Sequence, residues 1–164
     1  MTTTTFGTGI AAGLTAQGPM LPAPRPGLYL ANRLGGITAH LTADQETVST
    51  VRALALTVLV AHGIDRESAE DAQLVLSELI GNAVRACGAH VPLVVEVYRA
   101  EHDAIVAVHD PLAGTGPRRT TAEPDGDEAE SGRGLVLLDV LAPGWTVEPS
   151  AIGKRIRCRI PAAR

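Results

Sequence analysis

The chain has 164 residues, 45% hydrophobic and 20% charged, which suits one domain with its own core and excludes a disordered chain. Only 2% are aromatic (Phe6, Tyr29, Tyr98 and Trp145), so the core must be Leu, Val, Ile and Ala. The formal net charge of −4 and the lack of stacking platforms argue against a protein that coats DNA or RNA.

Residues 1–26 combine a Thr run, several Gly and four Pro, a composition that does not pack, and read as a flexible tail. The stretch from Gly27 to Leu34 is ambiguous between a loose strand and more tail. Helical spacing then appears at Val48, Val51, Ala55, Val58 and Leu59, with Thr42 or Asp44 as cap and Gly63 as stop, which predicts a helix over about 44–62. Asp65 or Ser68 caps a second helix, about 66–87, whose stripe is Ala69, Ala72, Leu76, Leu79 and Ala83. Leu93–Arg99 and Ala104–His109 read as a β-hairpin around an acidic four-residue turn.

Residues 111–131 break every pattern, with three Pro, three Gly and five acids, and read as a long solvated loop. A short helix follows from Gly134 to Leu141, then a strand over Trp145–Glu148. The last strand, Lys154–Ile160, alternates basic residues outward with apolar ones inward. Helices and strands do not alternate, so the fold class is α+β, with helices gathered on one face of a mostly antiparallel sheet.

Several chemistries are excluded by residue type. Lys154 is the sole lysine, and it precedes Arg155 rather than Ser or Thr, with Glu148 where a P-loop needs its first glycine. The strand Lys and His-Arg-Asp loop of a eukaryotic-type kinase are missing. Cys87 and Cys158 have no metal-binding spacing, and the five histidines form no motif, so the thiols are expected to be reduced and buried. No apolar run reaches membrane-spanning length, and the first 24 residues carry no charge for a signal peptide, so a cytoplasmic protein is expected.

Three places could carry chemistry. On the second helix Glu78 and Asn82 stand together at i, i+4, and Arg85 continues that edge, with Gly81 among otherwise apolar neighbours. This edge is either a ligand edge or a plain solvent face. Asp110 ends a buried strand, where it could accept from a ligand amino group or start a turn before Pro111. Gly132-Arg133-Gly134 precedes a helix, where backbone N–H groups can cradle phosphate, although an ordinary loop-helix junction looks the same.

Taken in order, Glu78-Leu-Ile-Gly-Asn82-Ala, then Asp110, then a loose loop, then Glu130-Ser-Gly-Arg-Gly-Leu135 resemble the GHKL (Bergerat-fold) ATPases. More narrowly, the chain looks like the small ATP-binding proteins of the anti-sigma-factor serine/threonine kinase family of actinomycete type, over about residues 41–160. The resemblance implies a two-layer sandwich, with about three helices on a mostly antiparallel mixed sheet, and a single ATP-binding domain over 27–162. It implies ATP and Mg²⁺ as cofactors. Glu78 would be the general base, and Asn82 would hold Mg²⁺. Arg85 would contact the nucleotide, and Asp110 would take the adenine amino group, with Gly114 and Gly116 in the adenine box. Gly132, Arg133, Gly134 and Leu135 would hold phosphates at a helix start, and 113–131 would form the ATP lid.

The implied partners are a sigma factor and a small antagonist protein phosphorylated on Ser or Thr, with a possible homodimer and neither nucleic acid nor membrane. The alternative is a catalytically weak or inactive, nucleotide-gated protein-binding module. The chain departs from the family pattern at Gly81 (often Thr), Ala86 (often His), Leu112 (commonly Gly) and Arg155 (usually Thr).

Overall fold

The computed structural model describes residues 21–114, 116 and 128–163, with side chains from 134 onward in the last stretch. Nine elements follow in order: β1 (Leu28–Arg33), β2 (Gly36–Thr42), α1 (Gln45–Ala61), α2 (Arg66–Cys87), β3 (Pro92–Ala100), β4 (Asp103–Asp110), α3 (Glu128–Leu141), β5 (Thr146–Ser150) and β6 (Gly153–Ile160). The six strands form one sheet in the order β1-β2-β3-β4-β6-β5, and every pairing among the described residues is antiparallel. The helices lie on one face, as the order of elements requires for an α+β fold.

The period-two alternation of the strands divides their residues between two environments. Ala39, Val95, Val108 and Ile156 are cross-strand neighbours on the helix side, as are Ile37, Val97, Val106 and Cys158. They pack with Val51, Ala55, Val58, Leu76 and Leu79 of α1 and α2 into one core, which Leu135 and Leu138 of α3 extend. The uncovered face carries charge. Glu96 is bonded there to Arg33 (2.7 Å) and His109 (3.2 Å) and lies 3.7 Å from Arg155, which pairs in turn with Glu148.

Both long helices are capped as their sequences suggest. Asp44 accepts from the backbone N–H of Thr47, and the Thr47 hydroxyl accepts from the Asp44 N–H, a reciprocal capping box. The Asp65 carboxylate accepts from the Ser68 N–H at 2.8 Å.

Some expectations need correction. The ambiguous stretch after Gly27 is a true strand, and it pairs with a second one, β2, which the sequence reading did not separate from the approach to α1. Residues 21–26, expected in the flexible tail, are anchored at two points: Leu21 lies against the core, and Arg25 bonds the Glu46 carboxylate and, at 2.7 Å, the Thr50 hydroxyl of α1, while Pro22, Ala23, Pro24 and Pro26 are exposed. The rest of that tail lies outside the described residues. Helix α3 begins at Glu128 rather than 134, because Glu128-Ala129-Glu130 is good helix-forming sequence with acids suited to a helix start. Of the expected lid, 113–131, residue 115 and residues 117–127 lie outside the described residues, and 128–131 are helical. Cys158 is buried, which pushes its thiol up to about 12, but Cys87 is only half-buried. Among the described residues no helix is long and apolar enough to cross a membrane.

Candidate functional site

The C-terminal segment fixes how α2 lies on the sheet. The Ala162 N–H bonds Asp103 at the start of β4 (3.0 Å), and the Ala163 N–H bonds Asp65 at the start of α2 (3.2 Å). The Ser68 hydroxyl donates to the Pro161 carbonyl at 3.1 Å. The two elements therefore start at the same end of the molecule and pack along one another. From Arg66 to Asn82 the helix rises roughly 24 Å, and from Asp103 to Asp110 the strand runs roughly 23 Å. The second half of α2, with Glu78, Asn82 and Arg85, therefore lies over the sheet end that carries Asp110.

On α2 the three polar residues form one cluster. A single guanidinium nitrogen, Arg85 Nη2, donates to Glu78 Oε1 at 3.0 Å and also to Asn82 Oδ1. The Glu78 side chain is 22% exposed and that of Arg85 45%, so the carboxylate is half-sheltered and the cation reaches solvent. Asn82 Nδ2 is buried without a hydrogen-bond partner, an incompletely satisfied polar group of the kind that marks functional sites. Gly81 gives this cluster room, since a Cβ there would stand 3.3 Å from Arg85 Nη1.

Helix α3 closes against the same cluster. A Cβ on Gly134 would collide with the Glu78 carboxylate, so only glycine lets α3 approach Glu78 this closely. Gly134 and Leu135 are buried, and the surroundings of Gly132 and Arg133 lie outside the described residues. The expectation that these four residues form a helix start is corrected, because they fall inside α3. In a continuous helix their N–H groups bond carbonyls four residues back, and the free amides lie in the turn before them.

Asp110 is 3% exposed and takes the turn role foreseen for an Asp before Pro: its Oδ1 accepts from the Leu112 N–H at 2.9 Å. It also has a partner the sequence reading missed. Lys154, its direct neighbour on β6, donates from Nζ to Asp110 Oδ1 at 2.9 Å and to the Leu112 carbonyl at 3.2 Å. Lys154 is 5% exposed, contrary to the expectation that the basic residues of this strand point outward. The signal was in the period: Ile156, Cys158 and Ile160 point inward, and Lys154 is in phase with them, whereas Arg155, Arg157 and Arg159 are not. Gly153 is needed beside this pair, since a Cβ there would strike the backbone of Pro111. Of the other expected positions, Gly114 adopts φ +121° in open space, and Gly116 lies against Val147 of β5.

The cluster has the donor chemistry for a hard cation. A carboxylate and an amide oxygen already converge on one positive centre, now the Arg85 guanidinium. Mg²⁺ takes oxygen ligands and commonly uses one or two protein groups with phosphate oxygens and water. Such a site needs no cage of His, Cys, Asp and Glu, and no group of three or more of these that could hold a metal occurs among the described residues.

A helix with a Glu/Asn edge, a strand-end Asp at the same level and a glycine-bearing helix closing over them form the frame of a nucleotide site. Comparison with curated proteins finds no match. Residues 41–160 match the model of the histidine kinase-like ATPase domain, a span running from the end of β2 to the end of β6 and including every site residue named above. The chain therefore belongs to the histidine kinase-like ATPase family and is an ATP-binding domain of the GHKL type.

Proposed function

We propose that the chain binds Mg-ATP between α2, α3 and the end of β4, and transfers the γ-phosphate to a Ser or Thr hydroxyl of a small antagonist protein, thereby controlling a sigma factor. The observation that carries this reading is the convergence of Glu78 Oε1 and Asn82 Oδ1 on one cation beneath Gly134. Asn82 would hold Mg²⁺ together with phosphate oxygens, and the ion would neutralise phosphate charge. Displaced from Glu78 and Asn82, the Arg85 guanidinium would turn its donors to the phosphates. Asp110 would take the amino group of the base. The Glu78 carboxylate would accept the proton of the attacking hydroxyl as its oxygen bonds to the γ-phosphorus, while the bond to the β–γ bridging oxygen breaks and ADP leaves.

One observation favours a second reading, a nucleotide-gated binding module without transfer. Glu78 Oε1 is held by Arg85, so it is not free to meet an attacking hydroxyl unless nucleotide draws the guanidinium away. Glu78→Gln separates the two. Mg-ATP at about 100 times Kd is expected to stabilise both wild type and variant by about 2.7 kcal/mol. Labelled phosphate is expected to reach an antagonist protein only with the wild type. Transfer at the normal rate by Glu78→Gln removes Glu78 as base, and no transfer by either leaves the binding module. Absence of a melting shift at millimolar Mg-ATP would sink both readings.

A further inference from the structure

We infer that Lys154 is a base-reading residue of the nucleotide site, donating to the ring nitrogen next to the amino group that Asp110 accepts from. The inference rests on the nucleotide reading above and adds a residue to it. An ammonium in a row of inward-facing aliphatic side chains is costly to desolvate, and a buried ion pair seldom stabilises more than apolar residues of the same size. Stability alone therefore does not account for a Lys at this position.

Its hydrogen bonding is also incomplete. Of three N–H donors, two go to Asp110 Oδ1 and the Leu112 carbonyl, and no third acceptor occurs among the described residues. Among the described residues the Asp110 carboxylate accepts from Leu112 and Lys154, both at Oδ1, so Oδ2 remains to accept. An ammonium with one N–H to spare and a carboxylate with one oxygen to spare are thus bonded to each other at the sheet end over which the second half of α2 lies. Adenine presents the complement on one edge, an amino N–H donor at N6 next to an acceptor at N1. The pair sits on two adjacent, directly paired strand positions, which hold donor and acceptor at fixed spacing. Arg155, the next residue of β6, is turned to the opposite face and bound to Glu148, so it does not serve the base.

The test compares ATP with an analogue whose ring N1 is replaced by C–H, each with Mg²⁺, by calorimetry on the full chain. Loss of a hydrogen bond to a charged group predicts that wild type binds the analogue at least about tenfold more weakly than ATP, and that Lys154→Met binds the two within about twofold. Equal affinity in the wild type, or an unchanged ratio in the folded variant, overturns the inference while the nucleotide reading stands. Failure of wild type to bind ATP removes the reading and the inference together. Should Lys154→Met not fold, the wild type decides alone, because Lys154 supplies the only lysine Nζ resonance of a ¹⁵N-lysine-labelled chain. ATP is expected to slow exchange of its ammonium protons and the analogue is not. Identical signals with both would overturn the assignment.

Discussion

Asp110 and Lys154 depend on each other. Asp110→Asn keeps the shape but removes the charge, and leaves an ammonium buried with only neutral acceptors. Breaking one side of a buried pair costs about 3–5 kcal/mol, so urea unfolding should show a loss of that order. The double variant with Lys154→Met should recover most of it, since no buried charge is then left unpaired. A double variant no more stable than Asp110→Asn would show that the pair does not behave as a coupled unit. This pair was also where sequence reading was weakest. Asp110 was identifiable from its place at the end of an apolar strand. Lys154 was not, because a lone lysine beside three arginines looks like part of a solvated stripe unless the strand phase is followed through to its first residue.

The second helix was legible to the residue, and the reason is physical. Its apolar stripe is unbroken, Asp65 offers a carboxylate to the first-turn amides, and Gly88 stops it. Strand β2 was hidden because its inward set, Ile37, Ala39 and Leu41, is short and includes an alanine, and because its identity depends on pairing with β1 and β3 across long sequence distances. Helix α3 was placed too late because each interior glycine costs about 1 kcal/mol relative to Ala, which makes Ser131-Gly-Arg-Gly134 look like a loop. Contact with α2 overrides that preference. Gly134→Ala therefore gains helix propensity yet puts a methyl group into the Glu78 carboxylate. It is expected to give no net rise in melting temperature and to abolish phosphate transfer by pushing the Glu78 carboxylate away from the place where it would meet the attacking hydroxyl. A variant about 1 kcal/mol more stable with full activity would show that α3 has slack there.

For the whole molecule, acid should be the sensitive side. The Thr47 amide holds the Asp44 carboxyl below its ordinary 3.8, the Ser68 amide does the same for Asp65, and the Ala162 amide for Asp103. Burial opposes ionisation of Glu96, but the hydrogen bond from His109 and the charges of Arg33, His109 and Arg155 outweigh it and hold the group below 4.5. Each folded value is depressed, so each contribution is complete above the ordinary value and is lost as pH falls through the folded one. Stability should be flat from neutrality to about pH 5 and then decline, steepest below about pH 4. A pH series of urea midpoints checks this, and a midpoint unchanged down to pH 3 would contradict it. The capping aspartates tie α1 and α2 to their starts, Asp103 ties the C-terminal segment to β4, and Glu96 joins β3 to its neighbours, so the loss should be cooperative.

The missing Cβ of Gly134 has a consequence beyond fit. Helix α3 begins at the end of the proposed lid segment and touches the proposed base at its own seventh residue. With no methyl group between them, backbone and carboxylate act as meshed parts. A small inward or outward travel of α3 must turn Glu78 with it, and turning Glu78 changes what Arg85 holds. Whatever seats α3 would thereby set the base, without any residue of the lid reaching it.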